Sequence, residues 1–528
     1  MTSEKVQHNW PEAWHAWSRP QIISMLFLGF SAGIPILLIF SSLSLWLREA
    51  GVDRSAVTYF SWAALGYSFK FVWAPIIDKL PLPVLSQWLG RRRAWLLVAQ
   101  LAIILAIVWM ATTDPTRSEN ALTIMALAAV MLGFSSATQD IVIDAYRIEI
   151  AHVDLQAMMS ATYIAGYRIG MIVAGAGALF LAEAFGSSKE AYSYQAWMWA
   201  YFCMGAVMLV GVATTLLIRE PDTSTAKSKY LHGTSDYLRF FLLFVLMLTG
   251  LIVCYVVTAA PADSLKVWLS DSVLNTHVGS FLVESLRLFS AVLSALLVGW
   301  FAVSLRIANR QVLQETYIAP VQDFFRRYGV SIALFLLLLI GFYRVSDIVL
   351  GVIANVFYQD MGFSKNEIAS ITKTFGPIMV ILGSFLGGML TVRFGVIRIL
   401  FAGAVLSALT NLLFLLLAHT GHDLLMLSIV IAADNISAGL AVAAFVAFLS
   451  SLTNISFTAM QYAIFSSMMT LFPKLFGGYS GGIVDSWGYD NFFILTTLMG
   501  VPVLFLVWYA GRLLHQSEGS SATSESRV

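Results

Sequence analysis

Two carboxylates lie four residues apart inside an apolar stretch of the chain. Asp140 and Asp144 belong to the segment SATQDIVIDAYR, which covers residues 136–147. A spacing of four places both carboxylates on one face of a helix. A carboxylate that moves between water and an apolar interior can take up and release a proton. We expect Asp140, the deeper of the two, to carry protons, and Asp144 is the second candidate.

Basic residues also occur within apolar stretches. Lys70, Arg168 and Arg344 lie near the middle of theirs, and Lys373 lies closer to one end. A charge near the centre of a membrane helix costs about 2.5–3.5 kcal/mol on insertion scales, so each is expected to have a partner or a function. These cations could bind an anionic substrate, or neutralise the acids in its absence. Salt bridges that only join helices are the alternative.

Further polar and aromatic residues could complete a binding cavity. Asp347 follows Arg344 by three residues, and Asp434 lies near the centre of another apolar stretch. Aromatic rings at depth could pack against sugar rings, although core packing is the alternative explanation for them. The aromatic candidates are Trp62, Tyr67, Tyr163 and Tyr167.

The composition indicates which elements position these residues. The chain is 59% hydrophobic and only 12% charged, whereas soluble domains carry about 25% charged residues. A membrane span needs about 20 mostly apolar residues. Fourteen segments meet this requirement, at residues 22–47, 56–79, 94–112, 121–146, 157–184, 196–218, 238–260, 281–303, 331–357, 366–390, 397–418, 424–449, 456–483 and 491–511. The sequence therefore predicts an all-α integral membrane protein with 14 transmembrane helices.

Loop charges predict the orientation of this bundle. Eighteen Lys and Arg residues fall on one side of the predicted membrane and six on the other. Basic loops stay preferentially in the cytoplasm, so both termini are expected there. The net charge of +1 provides no overall field to attract nucleic acid.

A long-period repeat divides the chain into halves. The segment LWLREAGVDRSAVTYF resembles VFYQDMGFSKNEIASI, and the alignment pairs Gly51 with Gly362, 311 residues later. Repeated halves with a site between them are typical of secondary transporters. We predict a six-helix half at 1–220, an inserted helix pair and an amphipathic cytoplasmic linker at 221–330, a second six-helix half at 331–512, and a disordered cytoplasmic tail at 513–528.

Glycines and a basic loop are the candidates for conformational roles. Gly29 and Gly33 precede Pro35 in the first span, where small residues permit close helix contact and bending. The loop after the second span contains Asp78 and then the run Arg91, Arg92 and Arg93. This loop resembles the Asp…Gly-Arg-Arg signature of the major facilitator superfamily, although the corresponding loop ending at Gly395 lacks the acid. The resemblance implies that the loop braces the cytoplasmic helix ends in the outward-facing state.

Five motifs resemble those of the AmpG muropeptide permeases of that superfamily. They are FLGFSAGIP, LREAGV, FKFVWAPIID, LGRRRAWLL and SATQDIVIDAYR, in that order. The resemblance implies a proton-dependent importer in the inner membrane of Gram-negative bacteria. Its cargo would be N-acetylglucosaminyl-1,6-anhydro-N-acetylmuramyl peptides from wall turnover, which links it to peptidoglycan recycling, β-lactamase induction and antibiotic resistance. It also implies that Asp140 couples transport to protons and that Gln139 forms hydrogen bonds with the substrate or at the proton site.

Other transport functions would use similar residues. A related branch carries acetyl-CoA, and an efflux pump for amphiphilic drugs would also use cations in a large cavity. The sequence has no HExxH, CxxC or Walker motif, so we expect neither an enzyme nor a bound metal. Duplicated halves with titratable residues favour a carrier over a channel. The expected partners are the muropeptide, protons and the lipid bilayer, with no cofactor beyond the proton gradient, no nucleic acid, and a monomeric state.

Overall fold

The computed structural model describes residues 17–52, 67, 70–117, 120–188, 191–222, 234–272, 276–305, 314–477 and 480–525. These residues form helices and loops, with no strand among them. The first half contains α1 (Pro20–Glu49), α2 (Ala74–Lys79), α3 (Arg91–Ala111), α4 (Ala121–Ile150), α5 (Val153–Ala184) and α6 (Tyr194–Leu217).

The remaining helices complete the predicted order. The inserted pair consists of α7 (Thr234–Val257, followed by the bent segment Ala259–Ser272) and α8 (Thr276–Ser304). A continuous stretch, Gln314–Asp360, contains the linker and, after a kink at Gly329, α9 (330–360). The second half continues with α10 (Ala369–Phe394), α11 (Val396–Thr420), α12 (Leu424–Leu452), α13 (Thr458–Gly477) and, within Ser480–Glu525 after a kink at Gly488, α14 (489–525). That last helix extends into the segment for which the sequence predicts disorder.

Ten helices of the described ranges are long and apolar enough to cross a membrane. An eleventh span is counted if the two segments of α7, which meet at a 44° bend, cross together. The protein is therefore a multi-pass membrane protein, as the sequence predicts. Two of the other predicted spans, 56–79 and 456–483, include residues outside the described ranges. The third, 281–303, lies within α8, where only Phe289–Ser304 counts as a shorter apolar helix. The number fourteen therefore stays a prediction.

The two halves repeat a helix ending at the aligned glycines. Gly51 and Gly362 have φ of 82° and 85°. Val52 donates its N–H to the carbonyl of Leu47 at 2.9 Å, and Phe363 donates to Tyr358 at 3.1 Å. This is the six-to-one hydrogen bond of a Schellman ending, which needs a left-handed residue where glycine has no Cβ penalty. The same local geometry thus recurs 311 residues apart.

Helices α1 and α5 are in backbone contact through glycines. A Cβ added to Gly29 would lie 2.2 Å from the carbonyl oxygen of Tyr163, and one added to Gly33 would lie 2.1 Å from that of Tyr167. Gly166 and Gly170 of α5 face α1 equally closely. The close packing that the sequence predicts for Gly29 and Gly33 is confirmed, and it fixes the position of the tyrosines on α5.

The halves meet at one end of the bundle, which we call the arginine-rich end because α3 begins there with three arginines. Gly388 of α10 packs there against the backbone of Ala157 and Met158 of α5. Within the described ranges, the hydrogen bonds between the two halves all lie at this end. The halves are therefore closed together at the arginine-rich end.

The inserted helices pack against each other, and the linker contacts both halves. Leu243, Met247 and Leu251 of α7 pack against Ala291 and Ala295 of α8. The hydroxyl of Tyr317, in the linker, donates to the carbonyl of Val72 at 3.2 Å in the first half. Further along the same linker, Asp323 and Pro320 accept hydrogen bonds from Gln461 of α13. The linker is thus tied to each half at the arginine-rich end.

Candidate functional site

The two acids of α4 have different partners. The hydroxyl of Tyr163 on α5 donates to Asp140 at 3.3 Å. One carboxylate oxygen of Asp144 lies 3.6 Å from Lys70 Nζ, and the other lies 3.6 Å from Arg147 Nη2. Asp144 is therefore compensated by two cations, whereas the side-chain hydrogen bond of Asp140 comes from a neutral phenol. We call Asp140, Asp144, Lys70 and Tyr163 the α4 cluster.

Lys70 lies at an interruption of the second span. Lys70–Val72 form a 3₁₀ turn, and Trp73, with ψ of −4°, precedes the first residue of α2. The indole of Trp73 donates to the hydroxyl of Thr138 on α4 at 3.1 Å, which holds this break against α4. Lys70 is only 9% exposed and lies within electrostatic reach of Asp140 as well. One cation thus serves both acids.

A second interruption places Arg344 in the other half. Helix Ala319–Phe342 ends just before it, and Val345–Asp360 begins just after it. The N-terminus of such a segment carries the positive end of the helix dipole, which favours bound anions. Arg344 is close enough to Arg168 on α5 for their like charges to repel. Within the described residues no carboxylate forms an ion pair with either guanidinium, so the two arginines of opposite halves could share an anion.

The acids of the second half are held by hydroxyl groups. Ser407 of α11 donates to Asp347, and Thr410 donates to Asp434 at 3.4 Å. The two carboxylates are near enough to interact electrostatically, and Arg344 attracts Asp347. The structure therefore brings Arg344, Asp347 and Asp434 together as a polar group of the second half.

Asp78 connects the two halves at the arginine-rich end. Its Oδ1 accepts a hydrogen bond from Arg92 Nη2 at 2.8 Å and another from the backbone N–H of Ala459 at 3.0 Å. Its Oδ2 accepts from the N–H of Met460 at 2.9 Å. Arg92, only 1% exposed, also binds Glu149 at the end of α4. The carboxylate of Asp78 thus caps the N-terminus of α13, where free N–H groups and the helix dipole favour a negative charge.

The other two arginines of this run bind the ends of neighbouring helices. Arg91 donates to the carbonyl of Asp78, and Arg93 donates to the carbonyls of Thr215 and Leu216. Glu220 accepts the N–H groups of Arg92 and Arg93 at 2.7 and 3.0 Å and so caps α3. Burial raises the pKa of Glu220, and the two N–H donors oppose that shift. We call the contacts of Asp78, Arg92, Glu149 and the start of α13 the latch.

Three predicted site residues stand apart from these clusters. Gln139 is 0% exposed, and neither polar atom of its amide has a hydrogen-bond partner among the described residues; it does not face an open cavity here. Lys373, in the π-helical turn of α10, is exposed and forms no ion pair within the described ranges. Trp62 lies outside the described residues. Tyr67 does join the α4 cluster, because its hydroxyl donates to Ser136 at 2.7 Å.

Arg147 contributes to the site although the sequence did not predict it as a site residue. Arg147 pairs with Asp144, donates to Ser450 of α12 at 2.9 Å, and lies over the ring of Tyr462 on α13. Its spacing of three from Asp144 was a signal for the ion pair, but nothing in the sequence indicated the contacts with the other half. Arg147 therefore links the α4 cluster directly to the arginine-rich end.

Comparisons with known proteins agree with this architecture. The Major Facilitator Superfamily model matches residues 336–527, and the model described as acetyl-coenzyme A transporter 1 matches residues 21–210. Transporter AmpG 4 of Rickettsia conorii is 30% identical over 489 residues, which cover 93% of this chain and 96% of that protein. The anhydromuropeptide permease of Escherichia coli K12 is 26% identical over 490 residues, covering 93% of this chain and 79% of that protein.

Solved structures share the fold. FucP, a major facilitator transporter in the outward conformation, has a TM-score of 0.58 at 10% identity, covering 94% of this chain and 99% of that chain. The proton:xylose symporter XylE with bound 6-bromo-6-deoxy-D-glucose has a TM-score of 0.55 at 12% identity, covering 93% of this chain and 94% of that chain. At these identities the likeness defines the fold alone.

The all-helical fold and the likeness to known transporters define a transporter of the major facilitator superfamily, and the chain is not an enzyme. Within that superfamily the chain belongs to the AmpG family of permeases, as its likeness to the Rickettsia conorii and Escherichia coli proteins shows.

Proposed function

We propose that the protein is a proton-coupled importer of anhydro-muropeptides, which it carries from periplasm to cytoplasm for cell-wall recycling and β-lactamase induction. The name of the Escherichia coli relative supports the cargo. The observation that carries the proposal is the electrostatic repulsion between Arg168 and Arg344, two arginines of opposite halves that form no ion pair with a carboxylate partner among the described residues. The peptide carboxylates of a muropeptide would supply that partner.

The α4 cluster supports proton coupling. Asp140 has a neutral hydrogen-bond donor, Tyr163, and shares Lys70 with Asp144. Protonation of Asp140 from the periplasm would leave Lys70 to Asp144 alone and strengthen that ion pair. Release of the proton on the other side would restore the competition for Lys70. The protonation state of Asp140 would therefore determine how strongly Lys70 pairs with Asp144. Arg147, which contacts α12 and α13, would transmit the change in this ion pair to the other half.

The closed end supports the direction. The loop charges predict that the arginine-rich end is cytoplasmic, with both termini there and the protein in the inner membrane. A bundle closed at that end would receive cargo from the periplasm, which an importer needs before it changes state. The cargo would bind between Arg168 and Arg344, and opening of the latch would then release it to the cytoplasm.

Acetyl-CoA is the second candidate cargo, because the model described as acetyl-coenzyme A transporter 1 matches the first half. Its phosphates would also suit the two arginines. Amphiphilic drugs remain the third candidate, without an observation in their favour.

Competition binding to the purified protein tests the cargo. A radiolabelled anhydro-muropeptide should bind and be displaced by unlabelled muropeptide but not by equimolar acetyl-CoA. Arg168→Gln and Arg344→Gln should each weaken binding by roughly tenfold or more, since a hydrogen bond to a charged group contributes about 1.5–3 kcal/mol. Arg398→Gln, at an exposed position outside the site, is the matched control. No binding of the muropeptide, or its displacement by equimolar acetyl-CoA, would reject the proposed cargo.

A further inference from the structure

A groove on the outer surface of the first half lies apart from the polar interface between the halves. It has a volume of about 660 Å³ and runs between the start of α1 and the ends of α4 and α6 at the arginine-rich end. Its apolar walls face outward: Ile23 and Phe27 are each 44% exposed, and Leu217 is 84% exposed. A groove of this kind in a membrane span is open to lipid chains.

The mouth of the groove carries positive charge. Arg219, exposed just beyond α6, lines the groove together with Gln21. Arg19, also exposed, precedes the first residue of α1. Neither arginine forms an ion pair with any residue in the part of the chain that the structure describes. Glu220, next to Arg219, is bound to the N–H groups at the start of α3 and so does not compensate it.

The other polar groups of the groove have partners within the protein. Ser24 donates to the carbonyl of Gln21 at 2.9 Å, and Thr214 donates to that of Val210 at 2.7 Å. Hydroxyls in this arrangement attract a ligand weakly. The polar contacts left for a ligand are therefore the guanidinium of Arg219 and the amide of Gln21 at the mouth, above an apolar interior.

We propose that this groove binds an anionic phospholipid, with one acyl chain between α1 and α6 and the phosphate at Arg219 and Gln21. Basic pockets between membrane helices near the surface suit anionic headgroups, and each nearby Lys or Arg contributes attraction that acts only close to the surface. The charge and the apolar walls are complementary to the two parts of such a lipid. The groove is built by the first half alone, so its occupancy does not depend on the muropeptide assignment.

Native mass spectrometry of the purified full chain, titrated with phosphatidylglycerol and separately with phosphatidylcholine, tests the site. The wild-type protein should bind the first phosphatidylglycerol more tightly than the first phosphatidylcholine. Arg219→Gln should weaken phosphatidylglycerol binding about fivefold, the contribution of one cation near a membrane surface, and leave phosphatidylcholine binding unchanged. Ala213→Trp keeps the charge but fills the groove, so it should weaken the binding of both lipids.

Arg398→Gln is the matched control, because Arg398 is an exposed arginine at the same end of the bundle that does not line the groove. It should bind phosphatidylglycerol like the wild type. The proposal is overturned if Arg219→Gln binds phosphatidylglycerol as tightly as the wild type does, or if Arg398→Gln weakens this binding as much as Arg219→Gln does. It is also overturned if the wild-type protein binds the two lipids equally tightly. Should Arg219→Gln fail to fold, Ala213→Trp decides: unchanged phosphatidylglycerol binding would reject the groove.

Discussion

Asp140 and Asp144 have the same residue type and lie one helical turn apart, yet their partners differ. Asp144 is held between two cations, Lys70 and Arg147. Asp140 accepts a hydrogen bond from Tyr163 and competes for the same lysine. A carboxylate fixed by two cations gains little from a proton, whereas one with a neutral partner can lose and regain its charge. We therefore propose that Asp140 carries the proton and that Asp144 compensates the two cations.

Asp140→Asn should abolish proton-driven accumulation of cargo, because a neutral amide cannot take up and release a proton at the pH on either side of the membrane. The variant should still bind cargo and exchange labelled for unlabelled cargo across a membrane, since the shape and the hydrogen bond from Tyr163 can remain. Counterflow and gradient-driven uptake measured in the same proteoliposomes separate the two activities. Full accumulation by Asp140→Asn would show that another acid carries the proton, and Asp144 would be the first candidate.

Asp144→Asn should instead lower stability. Lys70 and Arg147, which are 9% and 1% exposed, would lose their carboxylate, and removal of one partner of a buried ion pair costs about 3–5 kcal/mol. The free energy of unfolding in mixed micelles measures this loss. Equal stability of Asp144→Asn and the wild type would show that these ion pairs do not hold the helices.

At the scale of helices, the contact between α1 and α5 depends on the absence of side chains. Gly33→Ala would place a Cβ 2.1 Å from the carbonyl oxygen of Tyr167, so the two backbones must separate. Overpacking of this kind costs about 1–3 kcal/mol, and the thermal midpoint of the purified variant should fall accordingly. Separation would also displace Tyr163, one turn away, from Asp140.

Gly351→Ala is the matched control for this contact. Gly351 also lies in a helix, α9, but no atom lies within 4 Å of an added Cβ. Alanine is the better helix former, so this variant should be as stable as the wild type or slightly more stable. If Gly33→Ala and Gly351→Ala behave alike, the close approach of α1 and α5 does not limit stability.

The sequence predicts elements better than it predicts their interruptions. Apolar length identified the helices that the structure describes as spans, and the aligned Gly51 and Gly362 indicated the repeated helix ending. It did not indicate that the chain breaks at Lys70 and Arg344, because apolar residues flank both positions and hydropathy does not report dihedral angles. Those breaks depend on contacts with other helices, such as that of Trp73 with Thr138.

At the scale of the whole molecule, Asp78 joins two halves that are separated by most of the chain. Asp78→Asn removes the charge that compensates Arg92 and caps α13. The variant should therefore open more often at the arginine-rich end. Spin labels at the exposed positions Val153 and Ile455, in 3₁₀ turns of opposite halves at that end, should report a larger population at long distance by pulsed electron resonance.

Asp114→Asn is the control for this measurement, since Asp114 is an acid whose hydrogen bonds stay within its own turn, to Thr116. Its distance distribution should match that of the wild type. An unchanged distribution for Asp78→Asn would mean that the apolar contacts between α5 and α10 close the bundle without the latch.

The pairing between halves was the least predictable feature of the site. The sequence located Lys70 and Arg344 as charges that need a partner or a function, and it located Asp78 and Arg92 through the resemblance of their loop to a superfamily signature. It could not assign the partners, because Asp78 meets the backbone of α13 across more than 380 residues of chain. Backbone N–H groups are present at every helix start, so no residue type marks the one that is used.

The most direct test of the central claim is uptake of radiolabelled anhydro-muropeptide by proteoliposomes that contain the purified protein, with and without an inward proton gradient. We expect accumulation above the external concentration only when the gradient is present, and none when a protonophore dissipates it. Accumulation that is independent of the gradient would contradict proton coupling, and no uptake by a folded protein that transports acetyl-CoA would contradict the cargo.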